Sequence, residues 1–137
     1  MAAIKSKGTK PEMAVRRLLH AMGYRFRIHR PDLPGKPDIV LPSRRSIVEV
    51  RGCFWHQHPD PDCTNARRPK SNSGYWNPKL ERNQSRDAAN LRSLEGLGWR
   101  VLVLWECELG DPALGERLAA FLGPPIVRPG HAPPKRR

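Results

Sequence analysis

Apolar positions along the chain change their spacing several times, and each change marks an element. Val15, Leu18, Leu19 and Met22 recur at three- and four-residue intervals, as on one face of a helix. Thr9-Lys10-Pro11-Glu12 just upstream reads as a capping box, and Gly23 is a natural stop. Residues 24–28 alternate weakly, as a short strand would, and Leu33-Pro34-Gly35 marks a turn. Residues 38–41 and 47–51 are short strand-like runs around Pro42-Ser43-Arg44-Arg45, which predicts a hairpin. A turn centred between Ser43 and Arg44 sets Asp38 directly across from Glu49. Period-two alternation then gathers Asp38, Glu49 and Arg51 on one face and turns Ile39, Val48 and Val50 to the core. A slip of one residue would exchange the faces.

Residues 59–75 are polar, basic and proline-containing, as suits a surface loop. Asn77-Pro78 reads as a helix start, with Leu80, Leu91, Leu94 and Leu97 as its apolar stripe and Gly98 as its end. Residues 99–105, WRVLVLW, are nearly continuous in apolar character, which predicts a strand buried on both faces and assigns Trp99 and Trp105 to the core. Asp111-Pro112 opens a last helix carrying Leu114, Leu118, Phe121 and Leu122. From Gly123 onward the chain has the Pro-, Gly- and Arg-rich composition of a disordered tail. The order helix, hairpin, long helix, strand, helix predicts an α/β fold with a mixed sheet: one domain over residues 1–122 and a tail over 123–137.

At 137 residues the chain can bury a core without staples. Its formal charge of +12 attracts a polyanion, most often nucleic acid, through release of phosphate counterions. A membrane surface would attract the same charge, but there is no long apolar run, signal-like N-terminus or lipidation motif. Three cysteines cannot all pair within one chain, which points to a reducing cytoplasm and to thiols kept for another purpose.

That purpose has two readings. Cys53-x4-His58-x4-Cys63 follows the second hairpin run, and Cys107 lies just past the apolar strand. Three thiolates and one imidazole complete a closed, structural zinc site with Zn–S near ~2.3 Å. Three ordinary buried cysteines fit the same spacing, which is not a standard zinc-finger signature. The spacing of His56 and His58 allows one to be a ligand while the other faces a substrate. Pro37-Asp38 followed by Glu49-x-Arg51 resembles the PD-(D/E)xK nuclease pattern, with arginine where lysine usually stands. Two carboxylates facing each other across a hairpin suit Mg²⁺, which activates water and neutralises charge on a phosphate. Both short motifs are also common in any basic α/β protein.

The surrounding sequence adds weight. TKPE, FR…LPGKPDIVL, GCFWHQH, ARRPKSN…YW…K…N…RD and GWRVLVLWECEL together resemble the very short patch repair (Vsr) endonucleases, from about Thr9 to Leu122. The resemblance implies a restriction-endonuclease-like core, a mixed central sheet flanked by helices, with structural Zn²⁺ on Cys53, His58, Cys63 and Cys107. It implies Mg²⁺-dependent nicking of duplex DNA 5′ of the thymine in a T·G mismatch, the product of 5-methylcytosine deamination. By matching motif, Asp38 and the backbone carbonyl of Val50 would be magnesium ligands and His56 a catalytic histidine. Glu12 matches an acidic position near the family's active site, while its capping duty explains it equally well. Asn83 and Asp87, one helical turn apart, match residues that orient bound water or the phosphate. Phe54, Trp55 and Trp76 match the aromatics that wedge into the DNA stack, and Arg67, Arg68 and Lys70 would grip phosphates.

The sequence also departs from the family. Members often carry histidine or aspartate in place of Arg51, and no acid in place of Glu49. Arg51 stays protonated, so it serves as a charge stabiliser rather than a base, and Glu49 is available as a further magnesium ligand. Members usually have a further basic segment upstream. The expectation is a monomeric bacterial cytoplasmic enzyme acting on T·G-mismatched DNA, with mismatch-repair loading proteins as candidate partners. Its rivals are a restriction-type or defence endonuclease with another target and a non-catalytic, zinc-stabilised DNA-binding module.

Overall fold

A computed structural model of the chain describes residues 9–28 and 30–125. The first helix, α1 (Lys10–Ala21), begins where predicted, with Thr9 as N-cap and its Oγ1 accepting from the Glu12 backbone N–H at 3.4 Å. The hairpin is also in the predicted register. Strand β1 (Val40–Leu41) runs antiparallel to β2 (Ser46–Arg51), pairing Val40 with Ile47 and Leu41 with Ser46. One 3₁₀ turn over Pro42–Arg44 and a left-handed Arg45 reverse the chain. The Val48 N–H still donates to Ile39 O at 3.1 Å, carrying the pairing toward Asp38 and Glu49.

A long helix, α2 (Ser73–Gly96), crosses over to β3 (Arg100–Trp105), which lies parallel to β2 from Ser46–Arg100 to Arg51–Trp105. The last helix is α3 (Leu114–Leu122). The result is mixed α/β, with a three-stranded sheet ordered β1-β2-β3. Both faces of this sheet are covered. On one side Ile39, Leu41, Val48 and Leu104 pack with Val15 and Leu19 of α1 and Leu114, Leu118 and Leu122 of α3. On the other, Val40 and Ile47 pack with Leu94 of α2 and Trp99. Each fully buried aliphatic side chain contributes roughly 1.5–3 kcal/mol. Among the described residues, no helix is long and apolar enough to cross a membrane.

Four expectations change. Residues 24–28 form no strand but one bridge, in which Arg27 and Val40 exchange both backbone bonds at 2.7 and 2.9 Å. Helix α2 starts at Ser73 rather than at Asn77-Pro78, so Pro78 lies inside it. That proline costs one backbone bond near the helix start, where the Gly74 carbonyl is on an exposed turn open to water. The earlier start packs Trp76 against Phe54. Leu97 caps the end of α2 and is 54% exposed, so it leaves the apolar stripe. Strand β3 is an edge of the sheet and only Leu104 of its six residues is fully buried, against the expectation of burial on both faces.

Gly123–Pro125 returns to the body of the molecule. Arg44 donates to Leu122 O at 2.6 Å and to Pro124 O at 2.7 Å, and the Tyr24 hydroxyl donates to Gly123 O. The remainder of the expected tail, residues 126–137, lies outside the described residues, as do residues 1–8 and 29.

Candidate active site and metal centre

The end of the hairpin opens into a cleft of about 540 Å³, walled by the first turn of α1, the loop before β1, the end of β2 and the middle of α2. Asp38, Glu49, Val50, Arg51, His56 and Asp87 all line it, and so does Glu12. Residues far apart in sequence thus meet because the α1 start and α2 both abut the open end of the sheet.

Glu12 performs two tasks. Its backbone N–H takes the threonine cap, while its carboxylate is held by Arg16 one turn along. Burial holds the Glu12 carboxyl above its ordinary value; the neighbouring Asp38 charge and hydrogen bond push the same way, and Arg16 opposes them. Two carboxyls side by side in a partly dehydrated cleft repel each other, and a cation between them would relieve that repulsion beyond what Arg16 supplies. Their hard oxygen donors fit Mg²⁺.

Glu49 faces the same cleft but is already engaged. Its Oε1 accepts from Arg51 Nε at 3.2 Å and Nη2 at 2.8 Å, and the Arg51 guanidinium lies 5.7 Å from the centre of the Trp105 ring. The arginine is therefore fixed at the cleft wall by a carboxylate on one side and an indole face on the other.

His56 Nδ1 lies 2.6 Å from Asp87 Oδ2. A carboxylate at Nδ1 selects the tautomer with the proton there and leaves Nε2 as the nitrogen for chemistry. One turn earlier on α2, Asn83 donates to the Trp55 carbonyl at 3.1 Å. Asn83 and Asp87 clamp two consecutive residues of the loop after β2, Trp55 and His56.

The metal donors converge outside the cleft. Ligand atoms of Cys53, His58, Cys63 and Cys107 all lie within 4.8 Å of one another. Cys107 Sγ is 3.4 Å and Cys53 Sγ 3.9 Å from His58 Nδ1, and Cys63 and Cys107 are 4.0 Å apart. A tetrahedral zinc site has donor–donor edges of about 3.5–3.8 Å, so this set fits Zn²⁺ with small adjustments. Although residue Cys107 is largely exposed, loss of water around its sulfur pushes its thiol up to about 12, and Cys53 and Cys63 push the same way. Burial also raises the Cys53 thiol. A dication reverses this by deprotonating coordinating thiols. Trp105, expected in the core, stacks on the His58 ring at 4.4 Å and 14°.

Phe54, Trp55 and Trp76 form a mutual cluster with ring centres 5.2–5.6 Å apart, edge to face. All three are half-buried. Arg67 and Lys70 are exposed, whereas Arg68 is committed inward, donating to Gln57 Oε1 at 2.8 Å and lying 3.5 Å from Glu81. Sequence reasoning passed over Gln57, whose amide donates to Phe54 O at 2.8 Å and Ala66 O at 3.0 Å and so ties the loop together. It also passed over Asn90, a cleft residue against Gly35. Asn90 lies three residues after Asp87, a spacing that would have placed it on the same helix face.

Comparison with known proteins bears on this arrangement. Residues 1–64 match the family described as DNA mismatch endonuclease Vsr. The chain is 54% identical over 125 residues to the Type II nicking enzyme V.XorIIP of Xanthomonas oryzae pv. oryzae, covering 90% of each. It is 43% identical over 114 residues to the Type II nicking enzyme V.NmeAIP of Neisseria meningitidis, covering 83% of this chain and 79% of that one. It is 37% identical over 128 residues to the DNA mismatch endonuclease Vsr of Escherichia coli, covering 89% and 80%.

Proposed function

The chain belongs to the Vsr family of DNA endonucleases, and from that premise we propose that it nicks duplex DNA 5′ of the thymine in a T·G mismatch left by 5-methylcytosine deamination. The convergence of the Glu12–Asp38 carboxyl pair and the Asp87-oriented His56 in one cleft carries this reading. Asp38, with Glu12 beside it and the Val50 carbonyl, would hold Mg²⁺, and Cys53, His58, Cys63 and Cys107 would hold a structural Zn²⁺. Bound magnesium supplies Lewis acidity toward the scissile phosphate and makes water a better nucleophile.

The protein's own groups do the rest. His56, with Nδ1 engaged by Asp87, takes or gives a proton through Nε2 near the reacting phosphate. Arg51, held by Glu49, offers fixed positive charge where negative charge develops. Phe54, Trp55 and Trp76 present apolar ring edges to the base step beside the mismatch, where unstacking costs least. Arg67 and Lys70 engage backbone phosphates. The reading includes a restriction-endonuclease-like core, a domain ending near residue 122, and a monomer working in the bacterial cytoplasm.

The test is nicking of duplexes that differ only in one T·G pair, with Mg²⁺ or with EDTA. Cleavage confined to the T·G duplex with Mg²⁺ is expected, and Asp38→Ala lowers it on the order of a thousandfold. Equal cutting of fully paired DNA removes the mismatch assignment. A second reading, an endonuclease for another DNA target, is favoured by the Glu49–Arg51 pair. Cleavage of fully paired DNA at a fixed sequence would select it.

A further inference from the structure

A concave basic patch lies on the second half of α1, outside the cleft. Arg16, Arg17 and His20 of the helix and Arg25 and Phe26 of the following segment enclose about 390 Å³. The exposed side chains of Arg17 and Arg25 make no hydrogen bond or ion pair among the described residues. Residues 1–8, 29 and 126–137 contain no Asp or Glu to neutralise them. Arg16 Nε is buried without a hydrogen-bond partner among the described residues. The helix dipole favours cations near the end of α1. It does not account for Arg25 and Phe26, which lie beyond the helix and complete the wall.

Arg16 connects the patch to the cleft, since it lines the first and binds Glu12 of the second. At ~1.5 Å of rise per residue, positions 16–20 lie roughly 6–12 Å along the helix from Glu12. Each DNA strand carries a charge every ~3.4 Å of axis, so with α1 laid along the duplex that distance would span roughly two to four nucleotides. We propose that the patch is a second anchor for the DNA backbone, taking phosphodiester groups two to four nucleotides from the scissile linkage. This rests on the cleft being the nuclease site. The patch supplies affinity without sequence information, because phosphate contacts fix register rather than read bases.

The test measures binding without added Mg²⁺ by fluorescence anisotropy, using duplexes of about two turns, either fully paired or with a central T·G pair. The doubly substituted Arg17→Ala/Arg25→Ala protein binds both duplexes about tenfold more weakly, and by the same factor. Its slope of log affinity against log salt is shallower by nearly 2, at ~0.9 per lost phosphate contact. Arg17→Lys/Arg25→Lys restores most of the slope, and kcat at saturating DNA is unchanged for both proteins. An unchanged slope and affinity overturn the proposal and leave the patch to an acidic protein partner. A loss that lysine does not restore, or one confined to the T·G duplex, also overturns it. A wild-type protein that binds but never nicks T·G duplexes defeats the functional reading while leaving this measurement intact.

Discussion

His56 is able to move a proton in one direction only if its other ring nitrogen is committed, and Asp87 makes that commitment at 2.6 Å. Asp87→Asn keeps the shape but permits the amide to donate, which favours the wrong tautomer. The expected outcome is a kcat reduced about a hundredfold with KM for DNA nearly unchanged, measured in single-turnover and steady-state nicking. An equal change in KM with kcat intact would make Asp87 a DNA-binding residue instead. The sequence showed that His56 and Asp87 were candidates but not that they touch. Their contact depends on the phase of α2 against the loop after β2, and helical spacing within α2 carries no information about that. Asp38 and Glu49 were more legible, because a hairpin register follows from the turn and the alternation of its own two strands. The ion pair between Glu49 and Arg51 was missed although they are two residues apart on one face, where strand side chains of opposite charge meet readily.

Strands β2 and β3 end side by side at Arg51 and Trp105, and the four metal donors sit just past those ends. Cys53 and Cys107 follow their strands by two residues each, so a bound ion would lace the two parallel strands together while closing the loop that holds Cys63. All four donors were legible in the sequence, but how Cys107 comes to meet the other three follows from β3 lying parallel beside β2. Cys107→Ala removes the donor that joins the two segments. Its expected effect is loss of one bound zinc per chain by elemental analysis and a destabilisation of at least about 3 kcal/mol in denaturant unfolding. Zinc retained with an unchanged unfolding midpoint would remove Cys107 from the ligand set, and a wild-type protein without zinc would reduce the cluster to three ordinary cysteines. Other elements followed from local rules. The threonine cap and glycine stop gave α1 its bounds, whereas Asn77-Pro78 misplaced the start of α2 because tertiary packing of Trp76 overrides a local helix-start signal.

For the whole molecule, the proposed function would relate mismatch selection to cutting through the arrangement of these sites. The loop after β2 carries Phe54 and Trp55 beside His56, so on the proposed function a distortion read by the aromatics would be sensed next to the proton-transfer group. Trp76 reaches this loop from the start of α2, and Asn83 and Asp87 hold the same loop from farther along that helix. Loop and helix therefore act as one body, clamped at both ends. Each edge-to-face contact is worth roughly 0.5–1.5 kcal/mol, comparable with the difference between unstacking a wobble pair and a paired step. Removing one ring should thus change discrimination without abolishing chemistry. Trp76→Ala is expected to lower kcat/KM on T·G duplexes about tenfold to a hundredfold while the slow background on fully paired DNA stays within about twofold. The ratio of the two rates separates this from a structural loss, since an unfolded fraction lowers both alike. A ratio equal to that of the wild type would place the aromatic cluster in the core and leave mismatch selection to other residues.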